Sequence, residues 1–349
     1  TATAGSQPIV IDYHATGSSG STSGDDGNDK ARGVDGGEFF ITNRGSLTLT
    51  GGGTGGGGRL SLIDLQGFGG AGATPDSNGN DGGRGGDGAE MNGGSGDQKG
   101  GNGGDAKQIT ITNHAGGLIR LGDSQTSLLS IPNGAQAIMA YGNGGNGGSE
   151  NGAGGAGGQI NVTNAGTIEM YLDTTGHVAN PQSSIAGVYA HSRGGLGQSS
   201  EDNSDPGGRG GDILLEMGAN STLDTNGEAA YGAVGQSVGG IGGGNASVAG
   251  DGGAAGTVRM TGAAGSSIVT RGDFSTGVVL HSLGGGGGVG ADFTGVLFGS
   301  GGDGGNGANG SGAEIVMQGS VETSGDHSYG LLAQSIGGGG GSGGVGAGL

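Results

Sequence analysis

The sequence predicts an all-β chain folded as a right-handed parallel β-helix, three short strands to a coil, with glycine-rich insertions at one corner. Three observations carry this. An apolar segment recurs along the chain, the same order of strands follows each copy, and the glycine concentrates in one part of the unit. The segment "GVVLHSLGG" (277–285) aligns with "AIMAYGNGG" (137–145), "GVYAHSRGG" (187–195), "GAVGQSVGG" (232–240) and "GLLAQSIGG" (330–338). Self-similarity of this kind marks stacked repeats. One slot of the alignment holds Gly142, Ser192, Ser237, Ser282 and Ser335. A weaker copy, "DLQGFGG", puts Gly67 in that slot, and a first copy lies in "PIVIDYHATG" (8–17). The chain, 1–349, therefore reads as a single array. Its repeats start near 8, 61, 137, 187, 232, 277 and 330, with the weaker copies in 1–130.

Each copy opens with the apolar strand. A glycine-rich segment of variable length comes next, and two more short strands follow it. These pairs are "EFFITN" and "SLTLTG", "KQITITN" and "GLIRLG", "QINVTN" and "TIEMYL", "DILLEMG" and "STLDTNG", "TVRMTG" and "SSIVTRG", and "EIVMQG" and "VETSG". Alternating apolar and polar residues bounded by Gly, Asn and Asp are strand signals. No helical periodicity of useful length occurs. The unit length is elastic, because an insertion at one corner changes the period without disturbing the stacked strands. Six or seven coils follow, with equivalent strands about 4.8 Å apart. A propeller would need four strands per unit and a steadier period.

Stacking turns aligned positions into columns. One reads Gln66, Tyr141, His191, Gln236, His281, Gln334; its neighbour is the serine slot, ending in Ser192, Ser237, Ser282 and Ser335. Strand side chains alternate, so the two columns face opposite ways. The serine face, shared with Val188 and Ala190, is expected to point into the coil, with hydroxyls satisfying one another up the ladder. The opposite face carries Tyr189, Val234, Val279 and Leu332 beside the His/Gln column, and the glycine insertion is expected to fold back over it.

Composition sets limits. Glycine supplies 101 of 349 residues and proline 5. Leu, Ile, Val and Phe make up only about 17% of the chain, a level associated with disorder when net charge is high. Here those residues are gathered into the short runs, so a chain that buries only the runs still folds. There is no cysteine, hence no disulfide framework or thiol chemistry. No apolar run is long enough for a spanning helix. Lys and Arg total 12 against 31 Asp and Glu, a formal charge of −19, which argues against nucleic acid and anionic membrane as partners.

The glycine segments, such as "GGRGGDGAEMNGGSGDQKGGNGGD" (82–105) and "GGDGGNGANGSG" (301–312), often run in GG-x triplets. That fits extended polyglycine-II-like strands with three residues per turn, packed closely because nothing projects from the backbone. A flexible linker is the other reading. A collagen triple helix lacks its strict period and proline here.

Candidate sites are sparse. "GGRGGDILL" (207–215), with Asp212, matches a calcium-binding nonapeptide but has no tandem copies to complete an oxygen cage. In "DSNGND" and beyond it, Asp76, Asn78, Asn80 and Asp87 stand at calcium-loop spacing, without the central glycine or flanking helices; solvated loop tips are the plainer reading. "TRGDFST" contains the adhesion tripeptide Arg271, Gly272, Asp273, which chance also supplies in a chain so rich in Gly and Asp. His191 and His281 lie two coils apart, too far to share a zinc ion. No nucleophile–base–acid grouping stands out, so no catalytic residue and no resident cofactor is expected.

"YGAVGQSVGGIGGGN" (231–245) and "YGLLAQSIGGGGGSGG" (329–344) resemble the repeats of Gly-rich autotransporter passengers of Gram-negative bacteria, in which a GxxAQSxGGGGGxGG unit recurs many times. The resemblance covers roughly 130–349 well and the first 130 residues weakly. It implies a β-helical stalk or adhesin displayed on the bacterial cell surface or secreted, with a C-terminal outer-membrane barrel in the parent chain. It implies contact with a host-cell or neighbouring-cell surface, or with copies of itself, and no membrane insertion of this segment. The competing class is an extracellular calcium- or carbohydrate-binding module that uses the acidic insertions.

Overall fold

The computed structural model describes residues 11–19, 35–49, 60–72, 102–124, 128–130, 134–148, 152–174, 185–199, 204–295 and 300–348. Among them there is no helix, and three parallel sheets run through the chain. The first sheet stacks Ile11–Thr16, Leu60–Phe68, Ala135–Asn143, Ile185–Arg193, Ala230–Val238, Val278–Leu283 and Leu331–Ile336 in chain order. The second stacks Phe39–Asn43, Ile109–Asn113, Ile160–Asn164, Ile213–Met217, Val258–Gly262 and Ala313–Met317. The third stacks Ser46–Leu49, Leu118–Leu121, Thr167–Asp173, Thr222–Asn226, Ser267–Arg271 and Ser320–Ser324. The chain visits the sheets in that rotation, one strand in each per coil. This is a parallel β-helix with three strands per coil.

The register follows from burial. In the second sheet Ile160, Ile213 and Val258 are partners, and so are Val162, Leu215 and Met260; all are buried. Their alternate neighbours point outward, as the burial of Ile213–Met217 shows at every second residue. A slip of one residue would turn each strand inside out. The third sheet supplies Ile119, Ile168, Leu223 and Ile268 to the same interior, and the first supplies Ile63, Ile138, Val188, Val278 and Leu280. Each such side chain contributes about 1.5–3 kcal/mol by leaving water.

Strands of the first sheet are longer because they turn a corner. Alternation breaks once, so that Ile185 and Val188 both join the core while Ala186 and Tyr189 both face out. Gly187, Gly232 and Gly277 occupy the bend, where a Cβ would press into Leu223, Ile268 and Val321 of the third sheet.

At the turn between the second and third sheets, the first three coils carry a buried asparagine ladder. The Asn43 side-chain amide donates to Asn113 Oδ1 and the Asn113 amide to Asn164 Oδ1, each at 2.8 Å. The strands "EFFITN", "KQITITN" and "QINVTN" align these three residues, so the signal was present in the repeat. From the fourth coil the column changes to Met217, Gly262 and Met317, and the ladder stops.

Candidate functional site

In the coils whose glycine segments are described, the chain leaves the stack between the first and second sheets, runs outward and returns. The described outgoing legs include 193–199, 238–244 and 283–289; the return legs include 152–158, 204–211 and 249–256. Outgoing legs lie on outgoing legs, as the Gly194 and Gly239 N–H groups donate to the Val238 and Leu283 carbonyls at 2.9 Å. Return legs lie on return legs, with Gly207 donating to Asp251 at 3.0 Å and Gly210 to Ala254 at 2.9 Å.

A third set of bonds joins the two layers. Gly104 donates to Gly70, Gly145 to Gly104, Gly155 to Gly145, Gly195 to Gly155 and Gly208 to Gly195. The zigzag continues through Gly240, Gly253, Gly285, Ala308 and Gly338, every bond 2.7–2.9 Å long. Three bonding directions at a three-residue period are polyglycine II, and the glycine segments form an ordered blade beside the coils. Its interior is nearly all glycine, with Ala255 fully buried in a return leg and Ala308 carrying one link of the zigzag. A Cβ on Gly195, Gly240 or Gly285 would collide with the carbonyl oxygen of the neighbouring leg. Ordering a backbone residue costs about 1–2 kcal/mol, and a hydrogen bond returns a net of about 0.5–1.5 kcal/mol. The blade therefore balances near zero and depends on the coils to hold its legs in line.

The serine column fastens the blade to the coils. Ser192, Ser237 and Ser282 are fully buried. They share the inward face with Val188, Ala190 and Leu280, but their hydroxyls do not bond one another. The backbone of the adjoining glycine legs takes their bonds. Ser237 Oγ accepts the Gly256 N–H and donates to the Gly211 carbonyl, both at 2.8 Å. Ser282 accepts from Ser311 at 2.8 Å and donates to Gly256 at 2.9 Å. Ser192 accepts from Gly211 at 2.9 Å and donates to Gly142 at 3.1 Å. Ser335 donates to the Ser311 carbonyl. Each hydroxyl thus replaces a backbone group in a further zigzag of the lattice.

The acidic residues of the blade are joints between coils. Asp212 Oδ1 accepts the Thr257 N–H at 2.7 Å and pairs with Arg209 at 2.9 Å. Asp105, Asp251 and Asp292 likewise accept the N–H of Ala156, Asn306 and Val345 in the next coil, at 2.6, 2.7 and 2.7 Å. A carboxylate is a strong acceptor for an otherwise orphaned amide. Asp76, Asn78, Asn80 and Asp87 lie outside the described residues. Among the described residues no three His, Asp or Glu side chains converge as metal ligands.

Arg271, Gly272 and Asp273 sit at the exit of the third sheet. Arg271 pairs with Asp224 on the preceding coil, and Asp273 Oδ1 accepts the Asp326 N–H of the next at 2.8 Å. Gly272 has φ +127°, a value that favours glycine. Phe274 beside them stacks on His327 with ring centroids 5.1 Å apart. Both charged groups of the tripeptide are engaged within the stack.

The described glycine legs pack on one another. On the outward face of the first sheet the side chains form a small apolar cluster of their own. Val234 and Val279 pack with Ala186, flanked by Tyr189, Tyr231 and Leu332. In the column beside them the Tyr141 and His191 rings lie 5.3 Å apart, and His191 Nδ1 meets Gln236 Oε1 at 3.1 Å. Gln236 and His281 are register partners, and so are His281 and Gln334. His281 Nε2 is buried without a hydrogen-bond partner. Burial lowers the pKa of both histidines below the ordinary value. The chain matches no family model, no curated protein and no solved structure.

Proposed function

We propose that this chain is a structural segment of a bacterial passenger protein, displayed on the cell surface or secreted, and that it serves extension, adhesion or self-association. Its partners are then a host-cell or neighbouring-cell surface or other copies of itself, and a C-terminal barrel in the parent chain anchors it to the outer membrane. The observation that carries this reading is the unbroken backbone zigzag from Gly70 to Gly338, which ties every coil it crosses to the next. Polar side chains support the same reading, because Ser192 and Ser237 donate to carbonyls of the preceding coil and Asp212 and Asp273 accept amides of the next. Such an arrangement suits a protein that bears load along its axis. No helix of the described residues is long and apolar enough to cross a membrane.

The test is deletion in the parent chain on living cells. Removing residues 137–336 in whole coils should shorten the surface layer seen by electron microscopy and reduce attachment to host cells or clumping of the bacteria. Unchanged layer height together with unchanged attachment and clumping overturns the reading.

A further inference from the structure

The glycine blade has two unlike faces. In each leg two residues of every three are consumed by the lattice, and the third points away from it. On the outgoing layer these positions hold Asn143 and Asn146 in the third coil and Arg193 and Ser199 in the fourth, but from there on they include Leu196, Val238, Ile241, Leu283, Val289 and Ile336. Ile241, Val289 and Ile336 are 50%, 53% and 51% exposed. On the return layer the equivalent positions include Asp105, Asp212, Asp251 and Asn306, the residues that accept or donate between coils. In these later coils one side of the blade is thus aliphatic and the other polar and acidic. The aliphatic side begins where the first sheet ends, with Val238 on the same side of its strand as Gln236.

We propose that this aliphatic face is the contact surface for a second copy of the chain, the two copies meeting face to face. It rests on the self-association reading given above and names the surface involved. Charge points to this occupant. The chain carries −19 overall, so two copies repel over most of their surfaces. The outgoing legs 193–199, 238–244 and 283–289 carry one charge, Arg193, and no carboxylate. Two negative molecules approach at least cost through such a face. A flat surface related to itself by a twofold axis also closes without further growth.

The experiment is sedimentation of the purified full chain over a range of concentrations. The wild type is expected to pass from monomer to dimer. Ile241→Asp with Val289→Asp should weaken dimerisation at least tenfold while leaving the β signal in circular dichroism unchanged; Ala254→Asp on the opposite face should leave dimerisation unchanged. If the double variant fails to fold, a single introduced cysteine decides, since the chain has none of its own. Ile241→Cys should give a disulfide-linked dimer under mild oxidation and Ala254→Cys should not. A wild type that stays monomeric, including one whose aliphatic face instead takes up lipid vesicles or polysaccharide, overturns the proposal. So does assembly that survives both substitutions, which would mark pairing through the open strand edges at the ends of the stack. A monomer in solution whose deletion still abolishes cell attachment would remove this surface and leave the adhesive role standing.

Discussion

Ile160 and Ile213 in the coils and Gly195 and Gly240 in the blade are all buried, yet their surroundings have nothing in common. In the coils the space is filled by side chains, and the backbone stays on the perimeter. In the blade the space is filled almost wholly by backbone, with the buried methyl of Ala255 an exception, and larger side chains lie at the surface. A core of side chains yields to a change of shape, since neighbouring methyl groups shift. A core of peptide groups has no such give. The same stack therefore holds one region tolerant of apolar exchange and another in which single atoms decide.

The sharpest way to break this comparison is to remove and to add carbon in the same coil. Leu280→Ala, at a fully buried position, should cost about 2–5 kcal/mol in chemical denaturation. Gly285→Ala adds one methyl against the Gly240 carbonyl and should cost about 3 kcal/mol, the upper end of overpacking. If Gly285→Ala proved harmless, the blade would not be packed as described. Ser237→Ala tests the joint between the regions. It strips partners from the Gly256 N–H and the Gly211 carbonyl and should cost about 1–3 kcal/mol.

Acidity should act on the coils through the histidine column. In the folded state burial holds the pKa of His191 and His281 below the ordinary value of 6.5. As pH falls through that value the unfolded chain takes up protons that the folded chain does not, so stability drops. The melting temperature should fall between pH 7.5 and 5.5, and His191→Gln with His281→Gln should flatten the change. A melting temperature that rises on acidification in this window would contradict it. The smallest effect belongs to Gly286→Ala, one residue from the damaging site. Its Cβ would meet only the Gly339 carbonyl oxygen at 3.6 Å, so the change should be neutral or stabilising by about 0.4–1 kcal/mol. Opposite outcomes at adjacent glycines would sharpen the contrast to single-residue resolution.

Much of the coil was legible because its signals are local. The alternation in "DILLEMG" sets which face of Ile213–Met217 is buried, and aligned serines become register partners wherever equivalent strands stack. The asparagine ladder was equally visible in three aligned strands and needed only to be read. Asp212 shows the limit. Its resemblance to a calcium motif lies in its immediate sequence, whereas its partner Thr257 is 45 residues away. The serines were placed on the correct face with the wrong partners, since the return leg reaches them across a segment whose length varies from coil to coil. The adhesion tripeptide is a similar case, with Asp224 and Asp326 occupying its two charges from the coils on either side.

By itself the sequence determined the three-strand coil, its columns and the place where glycine leaves the stack, because strand periodicity and repetition are properties of short stretches. Only the tertiary structure decided that the glycine legs form a two-layer lattice, which hydroxyls and carboxylates complete it, and that one of its faces is aliphatic. Glycine carries no side chain to announce its neighbours. Which peptide group meets which is settled only when the coils bring distant legs into register and their N–H groups find carbonyls at 2.7–2.9 Å.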